Sequence, residues 1–262
     1  MLFISDLFSL RDDTMIISDP RIHHQCLHVL RMKPWETFFL QPADWSVRYK
    51  MQITNIDKKT FTTQIVEKEK SNIQNQKSII SLISLPNRRD KAELIVQKLT
   101  EISVSQIIFA PSDRSIIRTT NEKKLERLHT IALEACEQSY GRHLPEISIA
   151  SSLTDYCDSH PDHHYLLCDI PKEESFLPLV TEGNPLGDKG GIEGDLLATK
   201  KESKIKHSTS IILIGPEWWR SDRERDFFNT KKYTTLWLGS TVLRMETAAI
   251  VASRYVLNHL WS

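Results

Sequence analysis

The chain has 262 residues, of which 40% are hydrophobic, enough for one large domain or two modest ones with a buried core. Its 34 basic and 34 acidic side chains cancel, so the net charge neither indicates nor excludes a nucleic-acid partner. No apolar run approaches the ~20 residues that a membrane span needs. The first residues, with Asp6, Asp12 and Asp13, lack the features of a signal peptide. We therefore predict a cytoplasmic protein with no membrane partner.

Cysteine and histidine spacings give no sign of a metal centre. The cysteines form no CxxC pair and lie at Cys26, Cys136, Cys157 and Cys168. This pattern predicts free thiols in a reducing compartment, used for packing, and neither a disulfide framework nor a zinc site. The pair His23 and His24 and the group His160, His163 and His164 resemble metal spacings. No carboxylate or thiol pattern completes either set, so we predict no metal.

Residues 1–70 are predicted to form a small β-domain. Short apolar or alternating runs with the period of a strand lie at 36–41, 47–53 and 61–66. Short strands with polar connections are typical of a compact barrel or sandwich. The polar stretch over 67–78 follows, and we take 71–78 as a linker.

From residue 79 the pattern changes to alternating strands and helices. Continuous apolar runs, typical of strands covered on both faces, lie at 79–85, 106–110, 165–170, 210–215 and 236–239. Apolar residues at helical spacing predict helices after the first two runs and after the last one. This order predicts a parallel α/β sheet in a domain that covers residues 79–262.

One segment of this domain, 181–210, has a different composition. It is polar, has little periodicity and contains five of the eight glycines of the protein. We predict a flexible surface insertion, whose lysines either contact RNA or are simply solvated.

Two of the apolar runs end in glycine, at Gly215 and Gly239. In a parallel sheet, ligands bind beyond the carboxyl ends of the strands, and glycine lets the backbone approach a ligand closely. The loops after residues 214 and 238 are therefore candidates for one ligand site.

Helix starts are predicted beside both glycine loops. Ser221 followed by Glu224 has the spacing of a capping box. Thr247 is predicted to cap the final helix, with Arg244 and Glu246 just before it. That arginine and glutamate form either a structural ion pair or part of the ligand site.

These loops carry a family resemblance. LIGPE (213–217), followed by LGSTVLRMETAA (238–249), is similar to the signature of the bacterial 16S rRNA (uracil-N3) methyltransferase family, in the SPOUT superfamily. The resemblance covers about residue 20 to the C-terminus and is specific because four motifs occur in order. The other three motifs lie earlier in the chain. HVLRMK (28–33) resembles the family's N-terminal RNA-binding module, and KAELIVQKLTEISVSQIIFAPSDRS (91–115) resembles its first helix with the following strand and loop. EACEQ with LPEI (134–138 and 144–147) resembles its next helix with the exit.

The chain departs from the family pattern in three ways. Trp218 and Trp219 replace two glycines after GPE, Ser103 replaces the glycine of ELGV, and the arginine expected after EQ is displaced to Arg142. The indole rings either narrow the cofactor pocket or point into solvent or a dimer partner. Because the leading Gly215 is intact, we expect activity to be retained.

The resemblance implies an α/β fold with a SPOUT-type parallel sheet and a deep trefoil knot, preceded by a small PUA-like β-barrel domain. It also implies a homodimer and S-adenosylmethionine bound bent in the knot between two loops. An adenine ring needs a flat apolar slot with a few hydrogen bonds. The two implied walls are Ile214, Gly215, Pro216 and Glu217 on one side, and Leu238, Gly239, Val242, Leu243 and Arg244 on the other.

The implied reaction is methylation of N3 of a uridine in 16S ribosomal RNA, either as the free RNA or in the small ribosomal subunit. A cation near the uracil oxygens favours the deprotonated ring, and Arg114 and Arg142 are our candidates for this catalytic role. Glu134, Glu137 and Gln138 either join the site or hold their helix in place.

RNA binding is expected to begin at the N-terminal module. His28, Arg31 and Lys33 match the family's HVLRMK pattern. Cations contact phosphates, and an imidazole ring stacks on an exposed base. The alternative is that His28 and Arg31 only fix this element against the barrel.

Two other functions remain open. One is a non-catalytic RNA-binding relative whose cofactor loop is blocked by Trp218 and Trp219. The other is a SPOUT methyltransferase with a different RNA target, against which the N-terminal HVLRMK motif and the closing VLRMET motif argue. A dinucleotide-dependent oxidoreductase is excluded because the chain has no GxGxxG.

Overall fold

A computed structural model describes most of the chain. The described residues are 1–70, 78–113, 115, 121–168, 209–215, 221–230, 233–239 and 241–260. Several predictions fall outside them. These concern most of the linker, most of the 181–210 insertion, and Arg114, Pro216, Glu217, Trp218 and Trp219.

The chain divides into two compact units. The first unit is made of residues 1–76, 96–103 and 126–145. The second is made of residues 77–95, 104–125 and 146–262. The division is thus not a single cut in the sequence, because two segments that follow the predicted linker are grouped with the N-terminal residues.

The first unit contains a six-stranded sheet. Its strands are β1 (Leu2–Ile4), β2 (Phe8–Arg11), β3 (Thr14–Ile17), β4 (Thr37–Gln41), β5 (Val47–Ile56) and β6 (Phe61–Lys70). Their order is β1-β4-β5-β6-β3-β2, in which β1 and β4 are parallel and the other neighbours antiparallel. The three strands predicted here are confirmed as β4, β5 and β6.

The assignment of residues 67–70 to a polar connection was wrong. They continue β6, because their backbone pairs with the first four residues of β5 and opposite charges face each other. Lys50 lies opposite Glu67, with 3.8 Å between Nζ and Oε2. Backbone pairing and cross-strand charge pairs can hold a strand that has no apolar pattern.

The core of the first unit follows the alternation of its strands. In β3, Met15 and Ile17 are fully or almost fully buried, while Thr14 and Ile16 between them are exposed. This is the period of two that places alternate side chains on one face. The buried cluster contains Phe3, Met15, Ile17, Ile22, Cys26, Phe38, Leu40, Met51, Ile53 and Phe61.

A short helix, α1 (Pro20–His24), continues directly into a π-helical turn, Gln25–Val29, and neither was predicted. The carboxylate of Asp19 caps the helix by accepting from the amide of Arg21 at 2.8 Å. Proline at the first helical position suits this start because its ring fixes φ and its missing N–H is not needed there. The π-helical turn leads into the remainder of HVLRMK.

The second unit contains a six-stranded parallel sheet. Its strands are β7 (Ser78–Ser84), β8 (Gln106–Ala110), β9 (Glu146–Ile149), β10 (His164–Cys168), β11 (Thr209–Ile214) and β12 (Thr234–Leu236). Their order is β12-β10-β11-β7-β8-β9, and every neighbouring pair is parallel. The predicted α/β fold with a parallel sheet is confirmed.

Most boundaries in this sheet differ from the predictions by one or two residues, including Ser78, which was assigned to the linker and begins β7. β11 begins at Thr209, so the last two residues of the predicted 181–210 insertion belong to a strand. β12 ends at Leu236, so the predicted strand over 236–239 was wrong beyond its first residue.

Five further helices are described. They are α2 (Arg89–Glu101), α3 (Glu122–Ser139), α4 (Leu153–Ser159), α5 (Asp222–Thr230) and α6 (Met245–Leu260). The predicted cap of the last helix was wrong, because the helix starts at Met245 and Thr247 lies within its first turn. None of the helices in the described part of the chain is long and apolar enough to cross a bilayer.

Glu137 of α3 holds its helix within the first unit. Its side chain is only 6% exposed and accepts from the amide of Ile4 at 2.9 Å and from Nη1 of Arg21 at 2.8 and 2.9 Å. Burial raises the pKa of Glu137, while the Ile4 amide and Arg21 act in the opposite direction. A buried carboxylate of this kind requires such partners, which favours the positioning role considered for it.

Ser103 adopts a backbone conformation that normally requires glycine. Its φ is +66°, and its amide donates to the carbonyl of Thr100 at 3.0 Å, directly after α2. Helices often end with one residue in the left-handed region, where a side chain is unfavourable. The glycine that the family has at this position is therefore explained by the way in which α2 ends.

We expect Ser103→Gly to raise the free energy of unfolding by about 0.5–1 kcal/mol. Glycine removes a backbone strain of about 1–2 kcal/mol. Part of this gain is offset because glycine also raises the conformational entropy of the unfolded chain. Chemical denaturation measures the change. Ser105→Gly is the control, since Ser105 has no positive φ, and it should destabilise the protein; a loss of stability in both variants would contradict the explanation.

Candidate functional site

The two glycine-containing turns both follow the carboxyl ends of strands in the parallel sheet. Cys168, the last residue of β10, lies opposite both Ile214 at the end of β11 and Leu236 at the end of β12. The turn at Gly215 and the segment leading to Gly239 therefore start with one strand between them. Two strand spacings separate the ends by about 10 Å. A ligand of ordinary size can contact both turns at once.

Gly239 has a φ of +122°, which side chains rarely adopt. Apart from the glycine itself and its two chain neighbours, no heavy atom of the described residues lies within 4 Å of the position that a Cβ would take. Conformation, and not crowding, therefore explains glycine here. The turn offers bare backbone beside open space, as a loop that grips a planar ligand requires.

In the segment that follows β12, two buried polar atoms have no hydrogen-bond partner among the described residues. They are Nε1 of Trp237 and Oε2 of Glu246. Unpaired buried polar atoms are rare and costly, so a donor and an acceptor stand available here. Oε2 of Glu246 is 3.6 Å from Nζ of Lys91, so its ion-pair partner in the described part of the chain lies in α2.

The other predicted cofactor residues differ in exposure. Ile214 is buried as the last residue of β11, and Leu243 is half-buried. Val242 is 70% exposed, and Arg244 is exposed just before α6. An apolar side chain and a cation at the surface are free to contact a bound molecule.

The predicted capping box at the start of α5 is present. The amide of Glu224 donates to Oγ of Ser221 at 3.0 Å, and the amide of Ser221 donates to Oε2 of Glu224 at 3.1 Å. Such reciprocal bonds satisfy the amides that a helix start leaves unpaired. The capping box fixes where the chain resumes after the loop that follows β11.

This capping box also binds the loop after β8. Oε1 of Glu224 accepts from the amide of Asp113 at 3.0 Å, and the hydroxyl of Ser221 donates to Oδ2 of Asp113 at 2.5 Å. Glu224 is 2% exposed. This role of Asp113 was not predicted, because the spacing of Ser221 and Glu224 reveals a helix start but not a partner far away in sequence.

The predicted catalytic and RNA-binding residues are described in part. Arg114 follows Asp113 in the chain and lies outside the described residues. Arg142 is exposed and belongs to the first unit. The three RNA-binding candidates, His28, Arg31 and Lys33, are exposed in the first unit.

The local structure brings those three candidates onto one short segment. His28 is the fourth residue of the π-helical turn, with its ring 5.0 Å from that of His24. Arg31 has a φ of +54°. The amide of Lys33 donates to Oε2 of Glu36 at 2.8 Å. The segment is therefore ordered by its own hydrogen bonds and leaves its cationic side chains exposed.

Two of the cysteines are unsuited to nucleophilic chemistry. None of the four forms a disulfide, and burial raises the pKa of the Cys26 and Cys136 thiols to about 12. A thiol with a pKa that high is a poor nucleophile at neutral pH. Among the described residues there is also no group of three or more histidine, cysteine or acidic side chains that could hold a metal ion.

Comparisons with known proteins agree with this arrangement. A family model described as an RNA methyltransferase domain matches residues 74–257. The chain is 26% identical over 242 residues to the ribosomal RNA small subunit methyltransferase E of Bacillus subtilis, covering 91% of this chain and 88% of the relative. It is also 26% identical over 247 residues to the ribosomal RNA small subunit methyltransferase E 2 of Borreliella burgdorferi, covering 92% and 90%.

A solved structure shares the fold. It is a ribosomal RNA small subunit methyltransferase E from Neisseria gonorrhoeae bound to S-adenosyl methionine, with a TM-score of 0.68 and 22% identity. The alignment covers 99% of this chain and 97% of that one. Together with the family model, these matches confirm the resemblance carried by the sequence motifs.

We expect Glu224→Ala to lower the free energy of unfolding by about 1–3 kcal/mol, because two part-buried amides lose their acceptor. Asp222→Ala is the matched control at the same helix start. Its side chain is 90% exposed, and its removal should change stability by less than about 0.5 kcal/mol. Equal losses, measured by chemical denaturation, would show that the bonds to Asp113 and Ser221 contribute nothing.

Proposed function

The chain belongs to the RNA methyltransferase family, and from this premise we propose that it transfers a methyl group from S-adenosylmethionine to a base of small-subunit ribosomal RNA. One observation carries the proposal: the turns at Gly215 and Gly239 start from the same edge of the parallel sheet, with β10 between them. The names of the curated relatives and the cofactor of the Neisseria gonorrhoeae protein support it.

The proposed cofactor site is formed by the two turns. The open space at Gly239, the exposed apolar side chain of Val242 and the unpaired indole N–H of Trp237 fit a ligand that has both a flat ring and polar groups. When bound, S-adenosylmethionine supplies a methyl group already activated by a sulfonium. The proposed walls remain Ile214, Gly215, Pro216 and Glu217 on one side, and Leu238, Gly239, Val242, Leu243 and Arg244 on the other.

The protein's own contribution to the reaction is position and charge. We propose N3 of a uridine in 16S ribosomal RNA as the methyl acceptor, which must lose its proton to attack. A guanidinium near the uracil oxygens stabilises the resulting anion, and Arg114 and Arg142 are the candidates. Asp113 supports Arg114 as one of the two, since its bonds to Ser221 and Glu224 hold the preceding residue of that loop.

A trefoil knot in the second unit belongs to the same proposal. β12 lies at one edge of the sheet, yet α6 packs on the central strands β7 and β11. The chain therefore crosses back within residues 237–244, beyond the carboxyl ends of the strands, where the proposed ligand binds. A knot, which is rare among folds, requires the chain to pass back through one of its own loops. The return of the chain from β12 to the centre of the sheet supports this part of the proposal.

The remaining parts of the proposal concern architecture and assembly. The first unit, with its short antiparallel strands, is proposed to be the PUA-like barrel that binds RNA through His28, Arg31 and Lys33. We further propose a homodimer, in the cytoplasm, with the small ribosomal subunit or its RNA as substrate. The four cysteines form no disulfide, which suits a reducing compartment.

We expect the protein to bind S-adenosylmethionine with micromolar affinity and Gly239→Val to abolish this binding. A β-branched residue cannot adopt the φ of +122°, so the turn must change shape. Isothermal titration calorimetry measures the affinity. Ser103→Val is the control, because it introduces comparable backbone strain outside the turns and should bind normally. No heat with the wild type at millimolar ligand would favour the non-catalytic relative.

Cells that lack the protein should lose one N3-methylated uridine from their 16S ribosomal RNA. Mass spectrometry of the nucleosides detects the loss, and mapping of RNA fragments locates the base. The wild-type gene should restore the modification, whereas the Gly239→Val variant should not. An unchanged set of methylated nucleosides would refute the proposed reaction, and loss of a different methylated nucleoside would redirect it to another RNA target.

A further inference from the structure

Trp35 is held in a turn that favours glycine at its position. The amide of Glu36 donates to the carbonyl of Lys33 at 3.2 Å, with Pro34 and Trp35 as the two central residues. The φ of Trp35 is +77°. Proline followed by a positive φ is the pattern of a type II turn, whose third residue is normally glycine. A bulky side chain there is an outlier.

The surrounding hydrogen bonds prevent this turn from relaxing. The amide of Trp35 donates to the carbonyl of Ile53 at 2.8 Å, and the amide of Ile53 donates to the carbonyl of Glu36 at 3.0 Å. The side-chain amide of Gln52 donates to the carbonyl of Trp35 at 3.2 Å. The backbone is therefore bound to β5 on both sides of the indole, and the side chain projects from a fixed base.

Folding gives no reason for tryptophan at this position. Its side chain contributes little to a core, since the residue is 72% exposed. This is the highest exposure among the large hydrophobic residues that the structure describes. A large aromatic ring usually stabilises a fold by being buried. A strained, exposed aromatic residue on a rigid turn is instead typical of a binding surface.

The residues just before the turn give this surface its charge. His28, Arg31 and Lys33 are exposed, and residues 28–35 contain no acidic side chain. The carboxylate of Glu36, the first acid that follows, is hydrogen-bonded to the amide of Lys33. An exposed indole within four residues of two permanent cations complements a ligand with flat rings joined by negative charges.

We propose that Trp35 is a stacking platform for an unpaired base of the RNA substrate, with Arg31 and Lys33 contacting the phosphates beside that base. This inference rests on the proposed function, in which RNA is the substrate. Single-stranded nucleic acids bind to grooves that combine cations with aromatic rings on which bases stack. The same segment exposes Val29 and Leu30, but its two permanent cations and its lack of acidic side chains favour a partner that carries phosphates.

Binding of a fluorescein-labelled single-stranded oligouridine, followed by fluorescence anisotropy, tests the inference. Trp35→Gly should weaken binding by about 5- to 150-fold, the usual range for loss of one stacked base. Its melting temperature should be unchanged or higher, because glycine suits the positive φ. Trp35→Phe should keep most of the affinity, since it keeps a flat ring, and Trp35→Leu should not.

Trp45→Gly is the matched control. Trp45 also has a positive φ, of +56°, but it is only half exposed and lies in a different turn. This variant should bind the oligouridine as the wild type does. Arg31→Gln separates stacking from charge, because it should lower the dependence of affinity on salt, whereas Trp35→Gly should leave that dependence unchanged.

The outcomes distinguish this inference from the proposed function. Equal affinity of the wild type and Trp35→Gly would overturn the stacking role, as would full affinity of Trp35→Leu. A change of sedimentation in Trp35→Gly with unchanged RNA affinity would assign the indole to a protein interface and also overturn it. If the wild type bound S-adenosylmethionine but neither the oligouridine nor 16S ribosomal RNA, the proposed RNA substrate itself would fail.

Discussion

The register of three neighbouring strands is the constraint on which the candidate site depends. Cys168 stands opposite Ile214 and Leu236, and all three strands run in the same direction. Because parallel strands end together, two turns distant in sequence begin at one edge of the sheet. The conformation of Gly239 and the open space beside it then leave backbone groups accessible to a ligand. Without the shared register, the two glycine turns would be unrelated loops.

The capping box of α5 extends the same constraint to a third loop. Glu224 satisfies amides of its own helix start and of the loop after β8 with one buried carboxylate. The segment that resumes after Gly215 is therefore bound to the loop in which Arg114 follows Asp113. One local motif thus organises the surroundings of the proposed cofactor site, and its effect comes from a contact between loops that follow different strands.

Ser103 and Trp35 adopt the left-handed conformation for different reasons. At Ser103 the end of α2 requires it, and a small side chain keeps the strain modest. At Trp35 the type II turn requires it, and the exposed indole adds no core packing that would offset the strain. The first case is a compromise within folding. The second is better understood as a compromise between folding and RNA binding.

Patterns that repeat along the chain were sufficient for much of the fold. The apolar runs of the parallel sheet and the alternation of β4 to β6 were recognised because burial imposes a period on the sequence. Residues 67–70 were misjudged because only pairing with β5 makes them a strand. The strands of three or four residues near the N-terminus, and α1, escaped prediction because such short elements carry too little periodicity. Thr247 was misplaced because the first turn of α6 resembles the flanking loop in composition.

The sequence by itself determined the alternation of strands and helices, the glycines that follow two of the strands, the capping box and the family motifs. All of these depend on residues close together in the chain. Only the tertiary structure decided that Cys168 lies between the two turns, that Glu224 binds the amide of Asp113, and that Trp35 is exposed on a rigid turn. These are relations between distant residues, fixed by strand register and hydrogen bonding, which no local pattern encodes.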